Sequence, residues 1–195
     1  MLLTSLAKSD SLELGAPCSE NFYQRGKAAP CVGCEKFPAR LWAIWVKAPP
    51  LRGADILVAS ACLPHVNREV FENLSAGRVV LLACPEAEGA AYYGKIASII
   101  RSSKPRSLVV VTVDGSPHCF ALHASVNEAE YILGEKILRK HYVLVNAKEL
   151  KEISPDAVRV ARYLSLVEEL VKAHPQILEK LKELSLEYRS ALALR

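Results

Sequence analysis

Between residues 54 and 145 the chain alternates short, unbroken apolar runs with longer stretches of helical periodicity. The runs are Ala54-Asp55-Ile56-Leu57-Val58-Ala59-Ser60, Val79-Val80-Leu81-Leu82-Ala83, Leu108-Val109-Val110-Val111-Thr112-Val113 and Tyr142-Val143-Leu144-Val145. Consecutive apolar, β-branched positions mark strands covered on both faces, as in a parallel sheet. They predict strands at 54–60, 78–83, 107–113 and 142–145. The segments between them predict helices at 64–74, 85–103 and about 120–139. Strands alternating with helices imply right-handed βαβ crossovers. The fold class is therefore α/β: a three-layer, open, mainly parallel sheet with helices on both faces.

The flanks read differently. Residues 1–40 are punctuated by Gly15-Ala16-Pro17, Gly26-Lys27-Ala28-Ala29-Pro30 and Phe37-Pro38, and predict an irregular arm carrying Cys18, Cys31 and Cys34. Leu41-Trp42-Ala43-Ile44-Trp45-Val46 predicts a further strand, ended by Pro49-Pro50. At Ser154-Pro155-Asp156 a helix begins, with Ser as N-cap and Pro at the first helical position. A second helix starts near Pro175. The division is an arm at 1–40, a core domain at 41–150 and a pair of amphipathic C-terminal helices at 151–195. Their stripes either cover the protein's own body or dock a partner subunit; amphipathic stripes more often do the former.

Composition narrows the function classes. With 195 residues and 51% hydrophobic content, one α/β domain with appendages can bury a substantial core. The net charge of +4 comes with no dense Lys/Arg run and no aromatic platform, which argues against nucleic acid as a partner. No apolar run approaches the roughly 18 residues a membrane span needs. Met1–Lys8 lacks the basic start and apolar core of a secretory signal. The expected compartment is the cytoplasm, where cysteines are more often metal ligands or redox groups than structural disulfides.

The cysteines carry the candidate chemistry. Cys62, Cys84 and Cys119 each follow one of the predicted strands. In an open parallel sheet the carboxyl ends share one edge, and ligands bind in the crevice there. Three thiols delivered to that edge suggest one thiolate-built centre. Cys84 directly precedes Pro85, so a helix starting there puts the thiol at its positive end, which favours the thiolate. Cys31-Val32-Gly33-Cys34 adds a paired-thiol signature able to clasp a metal or a cluster edge. Free cysteine is also an ordinary small buried hydrophobe, and the pair can equally form a disulfide. His118 and His123 flank Cys119, which admits a nucleophile–base pair. No G-x-G-x-x-G follows a strand and no G-x-x-x-x-G-K occurs, so nucleotide binding has no positive support.

Segment 52–134 resembles the small iron–sulfur subunit superfamily of respiratory complex I and [NiFe] hydrogenases. The resemblance runs through Cys31-Val32-Gly33-Cys34-Glu35, the "Ala-Asp" strand at Ala54-Asp55, the strand ending in Cys84 and the loop Asp114-Gly115-Ser116-Pro117-His118-Cys119. Ser116 stands at the family's cysteine position, with Cys119 three residues on. The resemblance implies a [4Fe–4S] cluster, ligated by Cys31, Cys34, Cys84 and Cys119 with Cys62 in reserve. Tyr92, Tyr93 and His118 would surround it. It further implies electron transfer within an oxidoreductase complex, with a redox partner docked through 155–195. The alternatives are a structural Zn²⁺ held by Cys31, Cys34 and two of Cys84, His118 and Cys119, or a cysteine-dependent enzyme using Cys119 or Cys84.

Overall fold

The computed structural model describes residues 38–89 and 92–194, with backbone alone for Tyr92 and Tyr93. Its strands are β1 (Ala39–Arg40), β2 (Asp55–Ser60), β3 (Val79–Ala83), β4 (Ser107–Val113), β5 (Arg139–Val145) and β6 (Glu149–Ile153). They form one sheet in the order β1-β3-β2-β4-β5-β6. All neighbours are parallel except β5 and β6. Helices α1 (Leu63–Val66) and α2 (Arg68–Ser75) follow β2, while α3 (Pro85–Glu88) and α4 (Tyr92–Ser103) follow β3. Helix α5 (Phe120–Leu133) joins β4 to β5, and α6 (Pro155–Val160) follows β6. This is the expected three-layer α/β fold.

The two faces of the sheet are packed separately. Ile56, Val58, Leu81, Leu108 and Val110 meet Ile96 of α4 and Leu122 and Val126 of α5 on one face. Leu57, Ala59, Val109, Val111 and Leu144 form the other, covered by Val70, Phe71 and Leu74 of α2. Alternate residues of each strand thus serve opposite layers. At the amino end Asp55 binds β2 to β4. It accepts from Arg106 Nε at 3.1 Å and from Ser107 Oγ at 2.7 Å. The Arg106 and Ser107 hydrogen bonds hold its carboxyl down at about 2.

Several expected elements are broken, each by an identifiable residue. The helix expected over 64–74 is interrupted at Asn67, whose side chain caps α2 by accepting from the Val70 N–H at 3.0 Å. Gly89, at φ +64°, separates α3 from the segment that leads into α4. Gly134, at φ +64°, ends α5 with its N–H on the Glu130 carbonyl at 2.9 Å, so that helix stops well short of 139. The chain is then free to enter β5 at Arg139, three residues earlier than expected.

The expected strand at 41–46 is not one. Pairing with β3 ends at Arg40 and the Leu41 N–H, which reaches the Leu82 carbonyl at 2.8 Å. Turns follow, leaving Leu41 buried and Trp42 and Trp45 exposed. Strand β6 was not expected, because Glu149-Leu150-Lys151-Glu152-Ile153 is an edge strand with charged residues at three of five positions. It pairs back on β5 through Asn146 and Ala147, both in left-handed conformations.

The C-terminal segment holds four helices rather than two. Ser154 caps α6 as expected, accepting from the Ala157 N–H at 3.0 Å, and Val158 of α6 is buried. With β6 closing the sheet, residues 149–160 belong to the core layers. Beyond them run α7 (Leu164–Ala173), α8 (Ile177–Leu184) and α9 (Leu186–Ala193), none of which contains a buried residue. Leu164, Leu166, Leu170, Ile177, Leu184 and Leu186 are exposed, so this stripe does not bury itself in the protein's own core. No helix among the described residues is long and apolar enough to cross a membrane.

Candidate functional site

The chain leaves β2 for β3 on one side, then crosses back to β4 on the other. The direction of winding reverses between β2 and β4, and the carboxyl end of that junction is where such sheets bind ligands. Ser60 of β2 lies level with Ala83 of β3, and Ala59 with Val111 of β4. Cys62 and Cys84 therefore leave the sheet together, and the longer loop from Asp114 carries Cys119 to the same edge. The β2–α1 turn here is Ala61-Cys62-Leu63, without glycine. The switch point is furnished with thiols where a dinucleotide fold places a glycine-rich loop.

The three thiols sit in different environments. Cys62 is exposed, with its Sγ 3.7 Å from Ser60 Oγ. Cys84 is half-buried and extended, directly ahead of Pro85 at the start of α3. Cys119 is buried at the start of α5. Burial pushes its thiol up from the ordinary value, while the Ser116 side chain pulls it down. Cys62 and Cys84 both stand close enough to Cys119 for their charge to raise it further. Cys119 also stands at a helix start, yet desolvation is the larger effect there. The loops are also in register: His118 Nδ1 lies 3.6 Å from Glu86 Oε2, tying the β4–α5 loop to α3.

Among the described residues, no three His, Cys, Asp or Glu side chains are close enough to hold one metal ion. Cys31 and Cys34 lie outside the described residues, as do the side chains of Tyr92 and Tyr93. The structure brings Cys62, Cys84 and Cys119 to one edge without gathering them into a single-ion coordination sphere.

His123 is not a base for Cys119. Its ring is buried, with Nε2 2.9 Å from Thr112 Oγ1 and Nδ1 3.0 Å from His141 Nδ1. Arg139 Nε reaches His141 Nε2 at 3.2 Å. A guanidinium only donates, so His141 Nε2 is bare and its single proton is on Nδ1. That proton is donated to His123 Nδ1, which is therefore bare, and His123 donates from Nε2 to Thr112. The hydrogen bonds run one way, from Arg139 through both neutral rings to Thr112. Burial agrees with this, holding His123 at about 4 and His141 at about 3, the latter also lowered by His123 and Arg139. Arg139 is anchored in turn by Glu130 and, at 2.8 Å, by Asn127 Oδ1.

Sequence reasoning missed this network because it began the strand at Tyr142. The available signal was the phase of the strand: His141 stands opposite Val110, on the inward face shared with Val143.

A family model described as a Rossmann-like domain matches residues 48–194. An uncharacterized protein of Archaeoglobus fulgidus is 26% identical over 110 residues, covering 56% of this chain and 77% of that protein. No solved structure matches.

Proposed function

We propose, from the premise that the chain belongs to the Rossmann-like domain family, that it is a thiolate-ligated iron–sulfur protein with its cluster at the switch point of the sheet. One observation carries this reading. Three adjacent strands, β3, β2 and β4, each deliver a cysteine to their shared carboxyl edge. Chance placement of small buried hydrophobes does not favour one edge three times over. Cys84 and Cys119 are the ligands this edge supplies, with Cys62, just beyond the central strand, in reserve; the Cys31–Cys34 pair that completes the set of four in the sequence reading lies outside the described residues. A [4Fe–4S] cluster puts each thiolate on a different iron, so it takes sulfurs set wider apart than one ion does. When bound, such a cluster supplies one-electron transfer. The protein's part is to hold the thiolates, exclude water through the buried side of Cys119 and tune the site with nearby hydrogen-bond donors. The likeness of 52–134 to the small iron–sulfur subunits of complex I and hydrogenases supports the same reading. The exposed leucines of α7–α9 suit docking of a redox partner.

A structural zinc site is the second reading, and His118 favours it. Its Nδ1 faces the Glu86 carboxylate, which leaves the other ring nitrogen to face a metal, the arrangement common around a zinc-bound histidine. Catalysis by Cys119 is not favoured, since the thiol is buried, raised in pKa and without a histidine base.

Anaerobic purification with iron, sulfide and zinc analysis tests these readings. The first expects brown protein with iron and acid-labile sulfide in equal amounts, lost in Cys84→Ser and Cys119→Ser. Colourless protein holding one zinc supports the second. Protein binding neither, even after reconstitution with iron and sulfide, removes both.

A further inference from the structure

A cavity of about 230 Å³ opens on the α5 side of the sheet, beyond the carboxyl end of β4. Thr112 and His123 line its floor, and Val143, Ile153, Val158 and Ala161 contribute apolar walls. The one-way hydrogen bonds fix what the floor offers. His123 donates to Thr112 Oγ1, so the hydroxyl proton of Thr112 must find another acceptor. Thr112 is 2% exposed, and among the described residues its hydroxyl has no partner except His123. A buried donor without an acceptor costs roughly 1–3 kcal/mol. Most of the rest of the wall is apolar, with Asp114, Ser116 and Cys119 at its loop end.

We infer that this cavity binds a small neutral molecule with a carbonyl oxygen on Thr112 and a branched aliphatic body against Val143, Ile153 and Val158. The volume lies below the roughly 300–1,000 Å³ of pockets for drug-sized ligands, so the guest has few heavy atoms. It is neutral because no cation among the described residues lines the cavity and Asp114 stands in its wall, which disfavours a carboxylate. Both histidines are locked as neutral rings by Arg139, so neither supplies a positive charge. Cys119 also lines the cavity, so the site borders the thiol edge, but the guest is held by Thr112 and the apolar wall rather than by a thiol.

The probe is isobutyramide, with isobutyrate as its charged counterpart, each tested by saturation-transfer NMR on the full-length protein. Isobutyramide should show transfer with the wild type and with Thr112→Ser, which keeps the hydroxyl. Thr112→Val should weaken its binding roughly tenfold, the value of one buried hydrogen bond. Ala161→Trp, which fills the cavity and keeps the hydroxyl, should abolish binding, and it carries the test if Thr112→Val does not fold. No transfer to isobutyramide in the wild type overturns the proposal. So does equal binding by Ala161→Trp, or isobutyrate binding as well as the amide.

Discussion

His141 donates its Nδ1 proton to His123 Nδ1 across 3.0 Å, inside the layer between the sheet and α5. Two like nitrogens can face each other only if one is bare, and the Arg139 guanidinium decides which. Protonating either ring breaks this arrangement, and it would also place a third cation beside Arg139 and Arg159, both of which act on the site.

Stability should therefore fall in mild acid. Unfolded histidine takes up a proton near 6.5, whereas burial holds His123 at about 4 and His141 at about 3. Between those values the unfolded chain binds more protons, so stability is full above about 6.5 and is lost as the pH falls toward 4 and then 3. A tenfold difference in proton affinity between the folded and unfolded chain is worth about 1.4 kcal/mol, so a loss of several kcal/mol is expected. Urea unfolding at a series of pH values measures it. Ring NMR should show neither histidine titrating between pH 8 and pH 5.

Asp55 should act in a separate window. Its carboxyl is held at about 2 by the hydrogen bonds from Arg106 and Ser107, below an ordinary value of 3.8. Its contribution is present above about 4 and is lost as the pH falls through about 2. Asp55→Asn should lower the thermal midpoint at neutral pH and leave the histidine-dependent slope unchanged. Thermal scans of the variant at pH 7 and pH 5 check this.

Breaking the anchor of the network should be costly. Arg139 and Glu130 are paired with side chains only 7% and 14% exposed. Removing one partner of a buried pair leaves an unpaired charge and costs about 3–5 kcal/mol. Glu130→Ala should show that loss in denaturant unfolding. The ring chemical shifts of His141 should move with it, because Arg139 is no longer held against Nε2.

The thiols should differ in reactivity in the metal-free protein. Cys62 is exposed, whereas Cys119 is buried with its thiol pushed up by burial. Of Cys62, Cys84 and Cys119, iodoacetamide at pH 7.5 should modify Cys62 first and Cys119 last, with a rate difference of roughly tenfold or more. Peptide mass spectrometry over time gives the order. Equal rates would mean that the α5 start is open to solvent.

Core truncation sets the scale for all of these. Leu122 of α5 is fully buried against the sheet. Leu122→Ala should cost about 2–5 kcal/mol, measured by urea unfolding at pH 7.

The runs Ile56–Ala59, Val79–Ala83 and Leu108–Val113 determined the parallel core by themselves, because a strand buried on both faces has to be apolar at every position. With the strands fixed, so was the edge to which Cys62, Cys84 and Cys119 are carried. Ser154 and Pro155 likewise announced their helix, since a cap acts within one turn. What the sequence alone did not decide was non-local. The residues Leu41–Val46 have strand composition, but β3 supplies pairing only as far as Leu41. Strand β6 is charged, and only its position beside β5 makes it a strand. His123 and His141 lie 18 residues apart on different elements, and their tautomers depend on Arg139. The ionisation of Cys119 also followed from burial rather than from its place before a helix. Local sequence sets backbone preference and burial pattern, whereas pairing, desolvation and proton position depend on which distant groups the fold brings into contact.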